Sequence, residues 1–284
     1  MKRLVAVPNV SEGRDPAVLD AIQRAFEQRA DVLHRSADPD HHRAVFVVAA
    51  PRGVLHEALA DGARAATAAI DLRRHDGLHP RVGALDVAPV VHLDDGDRGA
   101  AIAEALLAAD AIGAAGIPVF LYGELAAGRT RAELRRGGPE ALAARVAAHE
   151  LAPDYGPATI DPSTGATLVA ARPPLIAFNL ELAPPATLDD ARAVAARIRQ
   201  SGAEGLPGVR ALGLRLERQD VVQVSTNIEN HRVVRARDVL AAVARHHPVA
   251  AAELVAPAPE AALEGWPADV PLRMPATLEA LLGR

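Results

Sequence analysis

Short apolar runs alternate with longer segments of helical periodicity along this chain of 284 residues. Short runs rich in Val, Leu and Ala between polar or Gly/Pro positions are typical of buried strands. These runs predict strands at residues 4–7, 32–36, 44–49, 84–91, 119–122, 166–170, 175–182, 210–218, 221–227 and 249–255. Apolar positions three and four apart predict helices at residues 51–70, 98–112, 188–200 and 234–245, and one that begins at Asp15 and Pro16.

The order of these elements occurs twice. Each half of the chain follows the order strand, helix, strand, strand, helix, strand, which is that of the ferredoxin-like fold. We therefore predict an α/β (α+β) protein with two ferredoxin-like βαββαβ subdomains, whose mixed sheets are covered by helices. The predicted subdomains are residues 1–178 and 179–284. Between the main elements, residues 123–155 are mostly polar and helical, and Thr130 and Glu133 have the spacing of a capping box.

Composition narrows the function classes. Half of the residues are apolar, only 2% are aromatic, and the formal net charge is −5. A nucleic-acid surface needs basic patches and aromatic stacking platforms, so we expect no nucleic-acid partner. The absence of cysteine excludes disulfides, thiolate catalysis and thiolate metal sites. No apolar run approaches a membrane span or a signal-peptide core, so we expect no membrane association and a cytoplasmic protein.

The sequence HDGLHPRVGALDVAP at residues 75–89 concentrates the most reactive side chains. An Asp-Gly pair that favours a turn precedes His79, and Pro80 keeps the backbone of His79 extended, so a stiff loop presents this imidazole. Arg81 and Asp86 follow at the start of an apolar strand. A preorganised histidine is a candidate proton-transfer group, although a His-Pro pair in a loop is more often only a turn.

A second loop, residues 154–165, is dense in Gly, Pro and hydroxyl side chains. Long loops in compact domains are usually functional or mobile. The residues of this loop do not decide between a binding loop and a linker.

Seven sequence blocks follow one another along almost the whole chain. They are VPNVSEGR at 7–14, HPRVGALDV at 79–87, VFLYGE at 119–124, PDYGP at 153–157, GAT at 165–167, LIAFN at 175–179 and QVSTN at 223–227. Together they closely resemble the glutamate formimidoyltransferase family, which in animals is the transferase half of a bifunctional protein. The resemblance implies that the two predicted subdomains are the N-terminal and C-terminal formiminotransferase subdomains of a stand-alone bacterial form.

The resemblance implies an enzyme that transfers the formimino group from N-formimidoyl-L-glutamate to tetrahydrofolate as co-substrate. The products are 5-formimidoyltetrahydrofolate and L-glutamate, in histidine degradation and one-carbon metabolism. His79 occupies the position of the family's catalytic histidine, as general base and then acid, and this chemistry requires neither a metal nor a covalent intermediate. The family's folate-binding loop corresponds to Gly156, Pro157, Ala158, Thr159, Ile160, Asp161, Pro162, Ser163, Thr164 and Gly165.

Further candidates would bind or orient the substrates. They are Asn9, Glu12, Asp40, Arg43, Arg81, Asp86 and Arg172. The arginines are candidates for substrate carboxylates because guanidinium binds carboxylate bidentately, and each could equally be a surface arginine. The aspartates, together with Asp38, could orient His79 or stabilise the positive amidine. Asn9 and Glu12 could serve the same pocket, or Asn9 could simply shape a turn.

Three alternatives stay open. A 5-formyltetrahydrofolate cyclo-ligase-like activity would use the same folate pocket on a different donor. A non-catalytic folate or small-molecule-binding module would share the fold. A metal hydrolase would use Asp38, Asp40, His41, His42, His75, His79 and Asp86, but their spacing matches no helical ligand pair. Beyond the substrates we expect no metal, a homodimer and a separate cyclodeaminase as a further partner, while polyglutamate preference does not follow from the sequence.

Overall fold

The computed structural model of this protein describes residues 3–283. Its strands are β1 (Arg3–Ala6), β2 (Asn9–Val10), β3 (Asp31–Asp38), β4 (Arg43–Pro51), β5 (Leu85–Val91), β6 (Val119–Leu121), β7 (Thr167–Arg172), β8 (Ile176–Leu182), β9 (Val209–Leu216), β10 (Val221–Ile228), β11 (Val249–Leu254) and β12 (Leu272–Arg273). Its helices are α1 (Pro16–Glu27), α2 (Leu55–Ala69), α3 (Arg98–Ala114), α4 (Arg131–Leu134), α5 (Gly138–Ala147), α6 (Leu188–Ile198), α7 (Ala236–Ala244), α8 (Glu260–Leu263) and α9 (Leu278–Leu282). In the described part of the chain, no helix is long and apolar enough to cross a membrane.

The chain divides into two compact units, which meet at Arg172 and Pro173. The boundary predicted at residue 178 is therefore displaced, because residue 178 lies inside β8, which pairs with β10 and β11 of the second unit. The physical reason is the pair Pro173-Pro174, which cannot donate hydrogen bonds to a strand neighbour and so ends β7.

The sheet of the first unit contains the predicted ferredoxin-like order. β5, β1 with β2, β4 and β3 lie side by side and pair antiparallel. β7 pairs parallel with β5, and β6 pairs parallel with β7, so the sheet contains seven strands. The predicted βαββαβ unit is confirmed, and the strands predicted near residues 119 and 166 extend its sheet beyond β5.

Small residues allow the helices of the first unit to pack closely on its sheet. Asp15 caps α1 as predicted, since its side chain accepts hydrogen bonds from the next helical amides, and α1 buries Leu19 and Phe26. The ring of Phe26 lies 5.3 Å from that of Phe46 in β4. A Cβ atom at Gly62 of α2 would lie 2.0 Å from the Phe26 ring, so only glycine fits beneath it. Ala, Val and Leu make up most of the remaining buried residues of this core.

The second unit is the second predicted ferredoxin-like half. Its sheet has the order β12, β11, β8, β10, β9, and the four longer strands pair antiparallel. α6 and α7 contribute Val194, Ile198, Val239 and Val243 to its core. The proline-rich tail adds β12 beside β11 and places Trp266 edge-on against Phe178.

Several element boundaries differ from the predictions. The helix predicted at 51–70 begins at Leu55, because β4 continues to Pro51 and Gly53 forms a turn with a φ of 79°. Residues 123–155, predicted to be mostly helical, contain the short helices α4 and α5, and the predicted capping box of Thr130 and Glu133 begins α4. These differences arise from turns and from pairing with distant strands, which local spacing does not describe.

The segment before β5 is bonded to the end of the second loop. The amide of Ala84 donates to the carbonyl of Thr164 at 2.8 Å, and the amide of Ala166 donates to the carbonyl of Val82 at 2.9 Å. Between these bonds, a Cβ atom at Gly83 would lie 1.9 Å from the carbonyl oxygen of Ala166. The two functional loops predicted from the sequence are therefore joined where each one enters the sheet.

We expect Gly83→Ala to lower the free energy of unfolding by about 2–3 kcal/mol, because the added methyl group must push the two backbones apart. Gly99→Ala is the matched control, since Gly99 lies in α3 and a Cβ there meets nothing within 4 Å. Urea unfolding of both variants is the measurement. If Gly83→Ala and Gly99→Ala had the same free energy of unfolding, the close backbone approach at Gly83 would not be required for stability.

Candidate functional site

Asp86, the second residue of β5, lies at the centre of a buried ionic cluster. Its side chain is fully buried, whereas those of Arg43 and Arg135 are 10% and 12% exposed. Its Oδ2 accepts two hydrogen bonds, one from Nη1 of Arg43 at 2.7 Å and one from Nη2 of Arg135. The other oxygen accepts the backbone N–H of Val82 at 2.8 Å. Nε of Arg43 donates to Oδ1 of Asn9 at 2.9 Å, which joins β2 to the cluster.

The charges of this cluster do not balance. Burial alone raises the pKa of Asp86, but the positive charges of Arg135 and Arg43 outweigh burial and hold that pKa well below its ordinary value. Burial lowers the pKa of Arg43 to about 10, so its guanidinium is still charged at neutral pH. One carboxylate therefore faces two guanidinium groups, and the cluster carries an excess of positive charge.

His79 is half-buried beside this cluster and has a defined tautomer. Its Nδ1 lies 2.7 Å from the carbonyl oxygen of Pro80. Because a carbonyl only accepts, Nδ1 carries the proton of the neutral ring and Nε2 keeps a free lone pair. Burial and the charges of Arg43 and Arg135 lower the pKa of His79 well below its ordinary value, against the opposing effect of Asp86. The site thus holds a neutral imidazole with one basic nitrogen available.

Two stacked histidines fix the loop that carries His79. The rings of His42 and His75 are 4.2 Å apart and nearly parallel. His75 donates from Nε2 to the carbonyl of His42 at 2.7 Å and accepts from the amide of Gly77 at 3.1 Å. Burial, with a smaller opposing effect of the bond to His42, lowers the pKa of His75 to about 4, so the His75 ring is uncharged at neutral pH. Burial also lowers the pKa of His42. Arg81 donates hydrogen bonds to the carbonyls of His75 and Gly77, which link the two sides of this loop.

The loop at 154–165 is a loop in the structure, and both of its ends are bonded to the sheet. At its start, a carboxylate oxygen of Asp154 accepts from the amide of Leu121 at 2.7 Å. Near its end, Oδ1 of Asp161 accepts from the amide and the hydroxyl of Ser163 at 2.7 and 2.6 Å. Gly165 has a φ of 70°, and a Cβ there would lie 2.0 Å from the carbonyl oxygen of Val82. The exposed middle of the loop is held from both sides.

The structure brings together some of the predicted site residues and separates others. Asn9, Arg43 and Asp86 bond to one another, and His79 lies within the field of the two charged residues. Asp40 lies in the neighbouring turn, where its carbonyl accepts the amide of Leu78 at 3.1 Å.

Three other candidates lie outside this cluster. Oε1 of Glu12 accepts from the amides of Arg14 and Asp15, so Glu12 shapes the turn before α1. Asp38 caps the turn at 40–41 and lies 3.1 Å from Nδ1 of His41. Arg172 pairs with Val91 at the opposite end of β5 from Asp86, about 16 Å away at the usual rise per strand residue.

Arg135 is the member of the cluster that the sequence did not reveal. It is the C-cap residue of α4, the short helix that the predicted capping box begins. It lies 49 positions after Asp86, and neither local spacing nor charge pattern connects the two. The capping box predicts where the helix begins, but only tertiary structure shows that its end reaches Asp86.

The metal-hydrolase alternative depended on histidine and acidic side chains of the same loops. Nδ1 of His42 accepts from the amide of Gly13 at 3.1 Å, and both ring nitrogens of His75 are hydrogen-bonded. Within residues 3–283, no three His, Asp or Glu side chains are grouped as they would be around a metal ion.

Comparison with known proteins shows the family of this chain. The model of the formiminotransferase domain, N-terminal subdomain, matches residues 3–172, which is almost the whole first unit. The chain belongs to the formiminotransferase family. The family resemblance predicted from the seven sequence blocks is thereby confirmed, and the first unit corresponds to the N-terminal subdomain.

Individual relatives agree with the family assignment. Glutamate formimidoyltransferase of Streptococcus pyogenes serotype M1 is 35% identical over 235 residues, which cover 81% of this chain and 78% of the relative. Glutamate formimidoyltransferase of Thermoplasma acidophilum is 32% identical over 276 residues, covering 93% and 90%. Formimidoyltransferase-cyclodeaminase of Sus scrofa is 39% identical over 285 residues, covering 93% and 51%. This formiminotransferase-family chain spans about half the length of such cyclodeaminase relatives.

Asp86→Asn should lower the free energy of unfolding by about 3–5 kcal/mol, because it leaves two guanidinium groups without their buried counter-charge. The exposed Asp110 of α3 gives the control variant Asp110→Asn, for which we expect less than about 0.5 kcal/mol. Since the pKa of Asp86 is lowered on folding, its contribution is present above pH ~4 and is lost as the pH falls below that value. Urea titrations between pH 3 and 8 test both statements, and a pH-independent or negligible difference from wild type would contradict them.

Proposed function

We propose that this protein transfers the formimino group from N-formimidoyl-L-glutamate to N5 of tetrahydrofolate, giving 5-formimidoyltetrahydrofolate and L-glutamate. The observation that carries the proposal is the neutral His79 with a free Nε2, set beside the Arg43–Asp86–Arg135 cluster in a formiminotransferase-family chain. Two relatives over most of this chain's length bear the name glutamate formimidoyltransferase, which supports the same reaction.

The reaction needs one proton to move from the attacking nitrogen to the leaving nitrogen. The lone pair of folate N5 attacks the amidine carbon and forms the new N5–C bond, while Nε2 of His79 accepts the N5 proton. His79 then donates that proton to the glutamate nitrogen, the bond from carbon to this nitrogen breaks, and its electron pair leaves with glutamate. A histidine that is neutral at working pH is available for the first step without losing a proton beforehand. Holding donor and acceptor in line supplies much of the remaining acceleration.

The loop at 156–165 is the proposed folate-binding segment. It ends in backbone bonds to Val82 and Ala84, only a few residues beyond His79. A pterin held by this loop would therefore lie near the imidazole. Its glycines allow backbone groups to approach a flat ring where larger side chains would clash.

His79→Ala should reduce the rate of tetrahydrofolate-dependent glutamate release by about 10²–10⁴-fold, because the proton carrier is lost. Its affinity for tetrahydrofolate should change little, since the proton transfer acts in the transition state. Single-turnover glutamate release and equilibrium folate binding are the measurements. Equal losses in rate and affinity would contradict the role of His79 as base.

His149→Asn is the control for His79→Ala, because His149 is exposed just after α5 and should affect neither the rate nor the affinity.

The pH profile of the wild type gives a second test of the role of His79. Protonation of Nε2 removes the base, and the lowered pKa of His79 shifts this event to low pH. We therefore expect kcat/KM to stay level down through pH 6.5 and to fall only at lower pH. A fall centred at or above pH 6.5 would contradict the lowered pKa.

Asp161→Ala should raise the KM for tetrahydrofolate several-fold and leave the KM for N-formimidoyl-glutamate nearly unchanged. The substitution removes the two bonds to Ser163 that order the end of the loop. Asp110→Ala, an exposed change outside the loop, is the control. If the change at Asp161 moved only the donor KM, the folate would not be bound by this loop.

A further inference from the structure

Arg135 has a buried hydrogen-bond donor that no protein group uses. Its side chain is 12% exposed, and Nη2 donates to Asp86. Nε is buried and has no hydrogen-bond partner. A buried donor on a charged group is costly to leave unsatisfied, and Nε of Arg81 and of Arg145 share this feature.

The other two arginines of the site are engaged differently. Arg43 uses Nη1 on Asp86 and Nε on Asn9, which fixes it between β2 and β5. Arg81 directs its terminal nitrogens to the carbonyls of His75 and Gly77, inside its own loop, while its buried Nε, like that of Arg135, has no hydrogen-bond partner. Of these three guanidinium groups, only that of Arg135 combines a place on Asp86 with an unused Nε.

The backbone that carries Arg135 is held in place by a neighbouring helix. Arg145 of α5 donates from Nη2 to the carbonyl of Leu134 at 2.7 Å and from Nη1 to the carbonyl of Glu133 at 3.1 Å. These bonds satisfy carbonyls at the end of α4, directly before Arg135. The backbone next to Arg135 is therefore held, and the bond to Asp86 orients the guanidinium, which lowers the entropy cost of binding an anion.

We propose that Arg135 binds the α-carboxylate of the formimino donor and so selects amino-acid donors at this site. The proposal rests on the proposed function, which supplies the donor. The cluster has two guanidinium groups for one carboxylate, so a second carboxylate restores the balance. The α-carboxylate is attached next to the nitrogen that must receive a proton from His79, and Arg135 lies in the same cluster as that imidazole. The γ-carboxylate lies two carbon atoms farther from this nitrogen.

The experiment pairs a change in the protein with a change in the donor. Wild type and Arg135→Gln are assayed with N-formimidoyl-L-glutamate, with N-formimidoyl-4-aminobutyrate, which lacks the α-carboxylate, and with N-formimidoyl-L-2-aminobutyrate, which lacks the γ-carboxylate. Arg135→Gln should raise the KM for the glutamate donor about 10- to 100-fold, the effect of losing a charge-assisted hydrogen bond, with a smaller change in kcat. The KM for the 4-aminobutyrate donor should be the same in both proteins. The penalty should persist with the 2-aminobutyrate donor.

Two variants control for structural damage. Arg136→Gln changes the next residue, which is exposed, and should leave every KM unchanged. Arg135→Lys keeps a positive charge near Asp86 and loses the planar fork, so it should fold and still raise the KM for the glutamate donor. If Arg135→Gln does not fold, the Lys variant decides. The proposal is overturned if the KM is unchanged in the folded variant, or if the penalty disappears with the 2-aminobutyrate donor instead.

Calorimetric binding of L-glutamate separates this proposal from the proposed function, because it needs no turnover. If wild type releases no glutamate from the donor but binds L-glutamate, and Arg135→Gln does not bind it, the reaction is wrong and the carboxylate site stands. If wild type turns over and Arg135→Gln binds glutamate equally well, the reaction stands and the role of Arg135 is wrong. If wild type neither turns over nor binds glutamate, both are wrong.

Discussion

The buried carboxylate of Asp86 is the interaction on which the candidate site depends. A charge without solvent must be paired, and this one is paired by side chains from β4 and from the end of α4 and by the amide of Val82. These bonds fix three segments that are distant in sequence at one point of the sheet. The bond to Val82 also fixes where the loop that carries His79 returns to β5. Removing the charge would therefore disturb the base and the arginines together, although Asp86 itself need not touch a substrate.

Backbone contacts position the end of the second loop beside the segment that precedes β5. Gly83 and Gly165 approach the opposite backbone so closely that a Cβ at either position would overlap it. The loop that is proposed to bind folate therefore closes against the residues that follow His79. Its middle can be polar and exposed because its ends are held by bonds to the sheet. Rigid ends and an open centre suit a segment that must hold a flat ligand beside a fixed imidazole.

Local patterns in the sequence predicted the parts of this fold that depend on local physics. Apolar runs predicted the principal strands, Asp15 predicted the start of α1, and the spacing of Thr130 and Glu133 predicted α4. The predicted boundary after residue 178 lies later in the chain than the observed one before Pro173, because an apolar run does not show with which sheet it pairs. In the site, the residue pattern at 75–89 directed attention to His79 and Asp86, and family resemblance then gave His79 its role and added Arg43 as a candidate. Arg135 could not be found in this way, since its partner lies 49 residues away and the contact exists only after the chain has folded.

The positive charge around His79 has two effects that act in opposite directions. In the free protein, burial together with the charges of Arg43 and Arg135 lowers the pKa of His79 and keeps the imidazole neutral, and the same field makes Nε2 a weak base. A carboxylate bound at Arg135 would offset part of that field. An opposite charge nearby favours the protonated imidazole, so the pKa of His79 would rise when the donor binds. The base would then become stronger only when an amidine is present to be attacked. By this coupling, one arginine would serve both the recognition of the donor and the timing of proton transfer.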